Sequence, residues 1–107
     1  MDERRSSGRF PLELSVEFEA DEHGSGTCSC KNISLGGICV LLPESQTLNI
    51  GTKLNLHFQL PGLDETVSVS GDVCWKDRIR SEIVGIQFAT GLRAREVWAI
   101  HQLRKSA

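Results

Sequence analysis

Two short clusters carry residue types suited to recognising an anionic, base-bearing ligand. The first is Arg4-Arg5-Ser6-Ser7-Gly8-Arg9, where Arg5 and Arg9 stand four positions apart and no apolar residue intervenes before Phe10. A guanidinium can clamp a phosphate bidentately, meet the O6 and N7 atoms of guanine, or stack on a purine face. The second cluster is Asn32-Ile33-Ser34-Leu35-Gly36-Gly37. Asn32 offers a donor and an acceptor, and Ser34 offers a hydroxyl. Gly36 and Gly37 lack the side chains that would hold a ligand off the backbone. Each cluster also has an ordinary reading. The first is what a solvated chain end looks like. The second is a plain turn, with Asn and Ser bonding to backbone and Gly taking a positive φ.

Signals for catalysis or metal binding are scarce. There is no Gly-rich phosphate loop of the P-loop type, no G-x-S-x-G elbow and no paired metal-binding histidines. His23, His57 and His101 are scattered and read as surface residues, as do Asp64, Glu65 and Asp72. The cysteines are Cys28, Cys30, Cys39 and Cys74, and reduced thiols are expected. Cys28-Ser29-Cys30 lacks the two-residue gap of a zinc knuckle. On a strand, both thiols point to one face and behave as small hydrophobes. No catalytic residue, metal or cofactor is expected.

Period-two alternation dominates the elements that must position these clusters. Leu12, Leu14, Val16 and Phe18 alternate with polar residues, as do Leu54, Leu56, Phe58 and Leu60, and then Val67, Val69, Gly71, Val73 and Trp75. Thr27–Ile33, Gly37–Leu42 and Glu82–Phe88 are shorter candidates. Turns are expected at His23-Gly24-Ser25-Gly26, Leu35-Gly36-Gly37, Pro43-Glu44-Ser45 and Pro61-Gly62, the last fitting a type II turn. Six antiparallel strands with one apolar face each close most economically into a small barrel, which leaves no open edge. Gly71 is the expected bend or bulge. After Gly91 the period becomes helical: Leu92, Val97, Ile100 and Leu103 share one side, Ala99 lies at its edge, and Trp98 points away. The expected architecture is therefore all-β. An arginine-bearing flexible arm (1–10) precedes a six-stranded antiparallel β-barrel (11–90), and a C-terminal α-helix (91–105) follows.

A length of 107 residues suits one domain, and a net charge of −2 argues against coating a nucleic-acid polymer by bulk electrostatics. Any anionic ligand must then be met by a local cationic cluster. No apolar run is long enough to insert in a membrane, and Met1-Asp2-Glu3-Arg4-Arg5 does not begin a secretory signal, so a cytoplasmic location is expected.

Taken together, Arg-x-x-x-Arg (Arg5, Arg9) followed about two dozen residues later by Asn-x-Ser-x-x-Gly (Asn32, Ser34, Gly37) resembles the PilZ domain family. Members of that family are receptors for cyclic dimeric guanosine monophosphate, cyclic di-GMP. Val73-Cys74-Trp75 and Gly85-Ile86-Gln87-Phe88 look like its later strands. The resemblance implies a six-stranded barrel followed by a helix, and a ligand site made of Arg4, Arg5, Arg9, Asn32, Ser34, Gly36, Gly37 and Trp75. Arg4 stands where an arginine accompanies an intercalated pair of ligands, whereas Ser6 replaces a further arginine of some members. Trp75 either stacks on a base or, from its place in the alternation, belongs to the core. The resemblance further implies a non-enzymatic receptor whose arm orders on the ligand and passes the signal to a partner protein. The alternative is a PilZ-like protein–protein adaptor that binds no nucleotide.

Overall fold

The computed structural model describes residues 10–21, 24–43 and 46–106. Its elements are β1 (Phe10–Ala20), β2 (Gly24–Ile33), β3 (Gly37–Leu41), β4 (Lys53–Phe58), β5 (Val67–Lys76), β6 (Ile83–Phe88) and α1 (Ala94–Ser106). The strands close into an antiparallel barrel in the order β1-β2-β3-β6-β5-β4. This is the expected architecture. Alternation explains it: Val16 and Phe18, Leu54, Leu56 and Phe58, and Val67, Val69 and Val73 all fill one core, and their polar neighbours face out. Cys28 and Cys30 face that core together, as the strand period requires. Leu48, from the β3–β4 connection, and Leu60, past the end of β4, complete the packing.

Several boundaries differ from the sequence reading. Phe10 already belongs to β1, pairs with Ile33 and packs half-buried against the core, so the arm ends before it. Ser25 and Gly26 are ladder residues opposite Glu19 and Phe18, not turn residues. Pro61-Gly62 is the expected type II turn: the Leu63 N–H donates to the Leu60 carbonyl at 3.1 Å, and Gly62 has φ +84°. Gly71 is no bulge. A Cβ there would lie 2.6 Å from Ile86 Cγ2 and 2.8 Å from the Gln87 carbonyl, so this glycine admits β6 at close approach.

The helix starts on an N-terminal cap. Glu96 accepts the Arg93 N–H at 2.8 Å and is only 6% exposed, the carboxylate half of a capping box. Ala99 and Ile100 enter the core, Leu92 and Leu103 pack against it, and Trp98 projects outward at 55% exposure.

Burial pushes the Cys28 and Cys30 thiols up to about 12, so neither supplies a thiolate near neutral pH. Native alkylation with iodoacetamide at pH 8 is therefore expected to give one fast adduct, at exposed Cys74. Mass spectrometry that found Cys28 or Cys30 labelled as fast would contradict this packing. The same burial makes stability fall as pH rises above about 9, because the unfolded thiols ionise there and the folded ones do not.

Candidate functional site

The Asn-x-Ser-x-x-Gly motif forms the β2–β3 hairpin turn. The Ser34 N–H donates to the Gly37 carbonyl at 2.9 Å, closing it. The Ser34 hydroxyl accepts the Gly37 N–H at 3.2 Å and the Gly36 N–H at 3.3 Å, and reaches the Gly37 carbonyl at 3.3 Å. Ser34 thus builds the turn. Neither glycine has the positive φ expected of a plain turn; among the described residues that conformation occurs at Gly24, Gly51 and Gly62. The requirement at Gly37 is steric, since a Cβ there would sit 2.5 Å from the Ile86 carbonyl of β6. Gly36 faces open space, while its carbonyl accepts the Phe88 N–H at 2.9 Å.

Cross-strand register places the other candidates in one row. Pro11 pairs with Asn32, Asn32 with Cys39, Cys39 with Gly85, and Gly85 with Trp75. The adjacent row, Ile33, Ile38, Ile86 and Val73, faces the core, so the first row lies on the exterior. Asn32 and Trp75 therefore stand at the two ends of this row; between them Cys39 is buried at 5% exposure and Gly85 lies beneath the indole. At about 4.8 Å per strand, the row spans roughly 14 Å from β2 to β5.

Trp75 reaches that face through a bulge. The β5–β6 register shifts between Val73 and Trp75, which inserts Cys74 and reverses the phase of the alternation. Trp75 is 36% exposed and seats its indole on Gly85, where a Cβ would overlap the ring. The core reading of Trp75 is thereby set aside. A second shift, between Cys30 and Asn32, places exposed Lys31 beside Asn32. Sequence reasoning passed over Lys31 and gave Cys39 and Gly85 no place near the site, since only the register brings them to this row.

Arg4, Arg5 and Arg9 lie outside the described residues. The chain enters the barrel at Phe10 and Pro11, and Pro11 ends the row that holds Asn32. Across the barrel, the exterior of β1, β4 and β5 is a polar ladder: His57 Nδ1 lies 2.9 Å from Ser68 Oγ, and its Nε2 lies 3.5 Å from Glu19 Oε1. Among the described residues, no group of three or more His, Cys, Asp and Glu side chains is placed to hold a metal ion. A groove of about 580 Å³ runs between the β4–β5 connection and α1, lined by Leu63, Asp64, Glu65, Arg95 and Trp98. Arg95 Nη1 meets Glu65 Oε1 at 2.6 Å across it, and that hydrogen bond and charge hold the Glu65 carboxyl below the usual range.

Similarity to known proteins follows the fold. The sequence matches no curated protein. The structure is similar to that of the Bacillus subtilis inhibitor of motility, MotI/DgrA, with a TM-score of 0.70 and 22% identity over 94% of this chain and 52% of that one. This chain thus spans about half of that protein's length. It is also similar to the PilZ domain of CeSA from a cellulose-synthesizing bacterium, with a TM-score of 0.63 and 16% identity over 92% of this chain and 95% of that one. At these identities the two structures speak for the barrel, whereas the PilZ domain family model matches residues 3–105 and so takes in the arginine segment, the Ser34 turn and the helix. By that match along nearly its whole length, the chain belongs to the PilZ domain family.

Proposed function

We propose that this chain is a non-enzymatic, cytoplasmic cyclic di-GMP receptor that uses no other cofactor. The observation that carries the reading is the exterior row: Asn32 and Trp75 face the same side across Cys39 and Gly85, and the arginine-bearing segment joins β1 at the row's end. A flat indole, 36% exposed on the same exterior row as Asn32, suits a purine. The Asn32 amide suits a base edge, and open Gly36 lets a ligand approach the turn.

The two phosphates of the ligand require cations. Arg5 and Arg9 supply them from the arm, with exposed Lys31 on the barrel as a further charge. Arg4 would support a second, intercalated ligand. In this reading the arm orders when phosphate charge offsets the repulsion among its arginines, and the remodelled face is what a partner protein reads. Hydrogen exchange over residues 1–10 should therefore slow when the nucleotide is added.

Calorimetric titration with cyclic di-GMP tests the reading. Arg5→Ala and Arg9→Ala should each cost about 1–3 kcal/mol of binding, the scale of charge-assisted hydrogen bonds to phosphate or of one bidentate arginine–guanine contact. Unchanged affinity in both variants would remove the arm from the site. A second reading, a protein–protein adaptor that binds no nucleotide, draws on exposed Trp98 at the edge of its groove. Absence of any heat with the intact chain would favour it.

A further inference from the structure

We propose that the β5–β6 tip, Asp77–Glu82, docks a partner protein that presents an acidic rim around a pocket for one aliphatic side chain. Ile79 at this tip is 91% exposed, far more than any other large apolar residue described. It is not held there by slack chain. Asp77 Oδ2 accepts the Ile79 N–H at 3.1 Å and the Arg80 N–H at 2.8 Å. The Asp77 N–H donates to the Ile83 carbonyl, and the Ile83 N–H to the Arg80 carbonyl, both at 2.9 Å. The turn is closed on both sides of Ile79, so little ordering entropy remains to be lost when it docks.

The surrounding charge identifies the partner's chemistry. Lys76, Arg78 and Arg80 stand within five residues. The Asp77 carboxylate is engaged by the turn's own N–H groups, and Glu82 pairs with Arg80 at 2.9 Å. Asp77 keeps its charge, so residues 76–82 carry three cations against two carboxylates, a net of +1 in a chain whose net charge is −2; exposed Arg78 and half-buried Lys76 form no ion pair among the described residues. An apolar anchor ringed by cations fits a pocket ringed by carboxylates.

A lipid surface is the poorer match. One aliphatic side chain with a few cations falls short of the paired signals that stable membrane anchoring needs. A tip-to-tip contact between two copies of this chain is also disfavoured, because it would bring the same cations together.

Docking goes beyond the nucleotide reading and does not depend on it. The tip begins just past the Trp75–Gly85 and Lys76–Val84 pairs, so only its modulation by nucleotide would rest on that reading. The test therefore uses the full chain without nucleotide. Twelve-residue peptides displayed on phage are selected against it, and the enriched peptides are measured by fluorescence anisotropy. Acidic peptides that carry several apolar residues, enough to close around Ile79, are expected, weakened roughly tenfold or more by Ile79→Ser and by Arg78→Glu. Both positions are exposed, and urea unfolding verifies that the variants remain folded. Peptides without acidic bias, or affinities within about twofold in both variants, would overturn the proposal. So would Ile79-dependent binding to vesicles of phosphatidylcholine and phosphatidylglycerol, or self-association in sedimentation that Ile79→Ser abolishes.

Discussion

Gly37→Val is expected to destabilise the barrel by roughly 3 kcal/mol or more, with Gly37→Ala not far behind. The added Cβ would stand 2.5 Å from the Ile86 carbonyl, a backbone atom of the neighbouring strand that no rotamer change can move aside. One residue on, Ile38 pairs with Ile86 in the core, so relief would have to separate two paired strands. Domains of this size keep only about 5–15 kcal/mol in total, so the loss is a large fraction of it. Gly36→Ala is the matched comparison: nothing lies within 4 Å of its Cβ and its φ is not positive, so a change within about 0.5 kcal/mol is expected. Urea unfolding of the two alanine variants measures the difference. Equal stability would show that the glycine at position 37 is not required by strand packing.

That contrast also shows where sequence reading reached its limit at the motif. Two adjacent glycines after Asn and Ser suggest a turn, and a turn is what forms, but the usual explanation by positive φ fails. Ser34 closes the loop through its own hydroxyl and amide, which leaves Gly37 free to satisfy a packing demand from β6, some fifty residues away in the chain. Such a demand is a property of register, and register is not written locally. The strands themselves were legible because alternation is a direct consequence of a sheet covered on one side. The same signal located the core positions of β1, β4 and most of β5.

Trp75 was ambiguous for the opposite reason. Its alternation runs correctly through Val73, and then one inserted residue turns the rest of the strand over. Nothing at Cys74 marks a bulge by residue type, whereas Gly71, which does look like one, serves close approach to β6. The helix shows both outcomes. Its apolar stripe was legible at Leu92, Ile100 and Leu103, but Ala99, expected at the edge, lies in the core while Val97, expected on the stripe, is only half-buried; Glu96, a buried carboxylate, became intelligible only with the Arg93 N–H it caps.

The dependence of Trp75 on Gly85 leads to the second large effect, which falls on binding and largely spares folding. Stacking of a base on an aromatic ring is worth about 1–3 kcal/mol, so in the proposed site Trp75→Ala should weaken cyclic di-GMP binding roughly 5- to 150-fold. Gly85→Ala should act in the same direction without touching a ligand. Its Cβ would overlap the indole, which at 36% exposure can swing into solvent for a conformational cost of about 1 kcal/mol. The barrel then stays folded while the platform is lost, unlike the outcome at Gly37, where the obstructing atom is backbone. Because Gly85 works only through the indole, the double variant should bind no more weakly than Trp75→Ala alone. Calorimetry on the two single variants and the double variant decides between this and a direct role. If the losses add, Gly85→Ala acts independently of the indole, and the ring's seat on Gly85 is not what the nucleotide depends on.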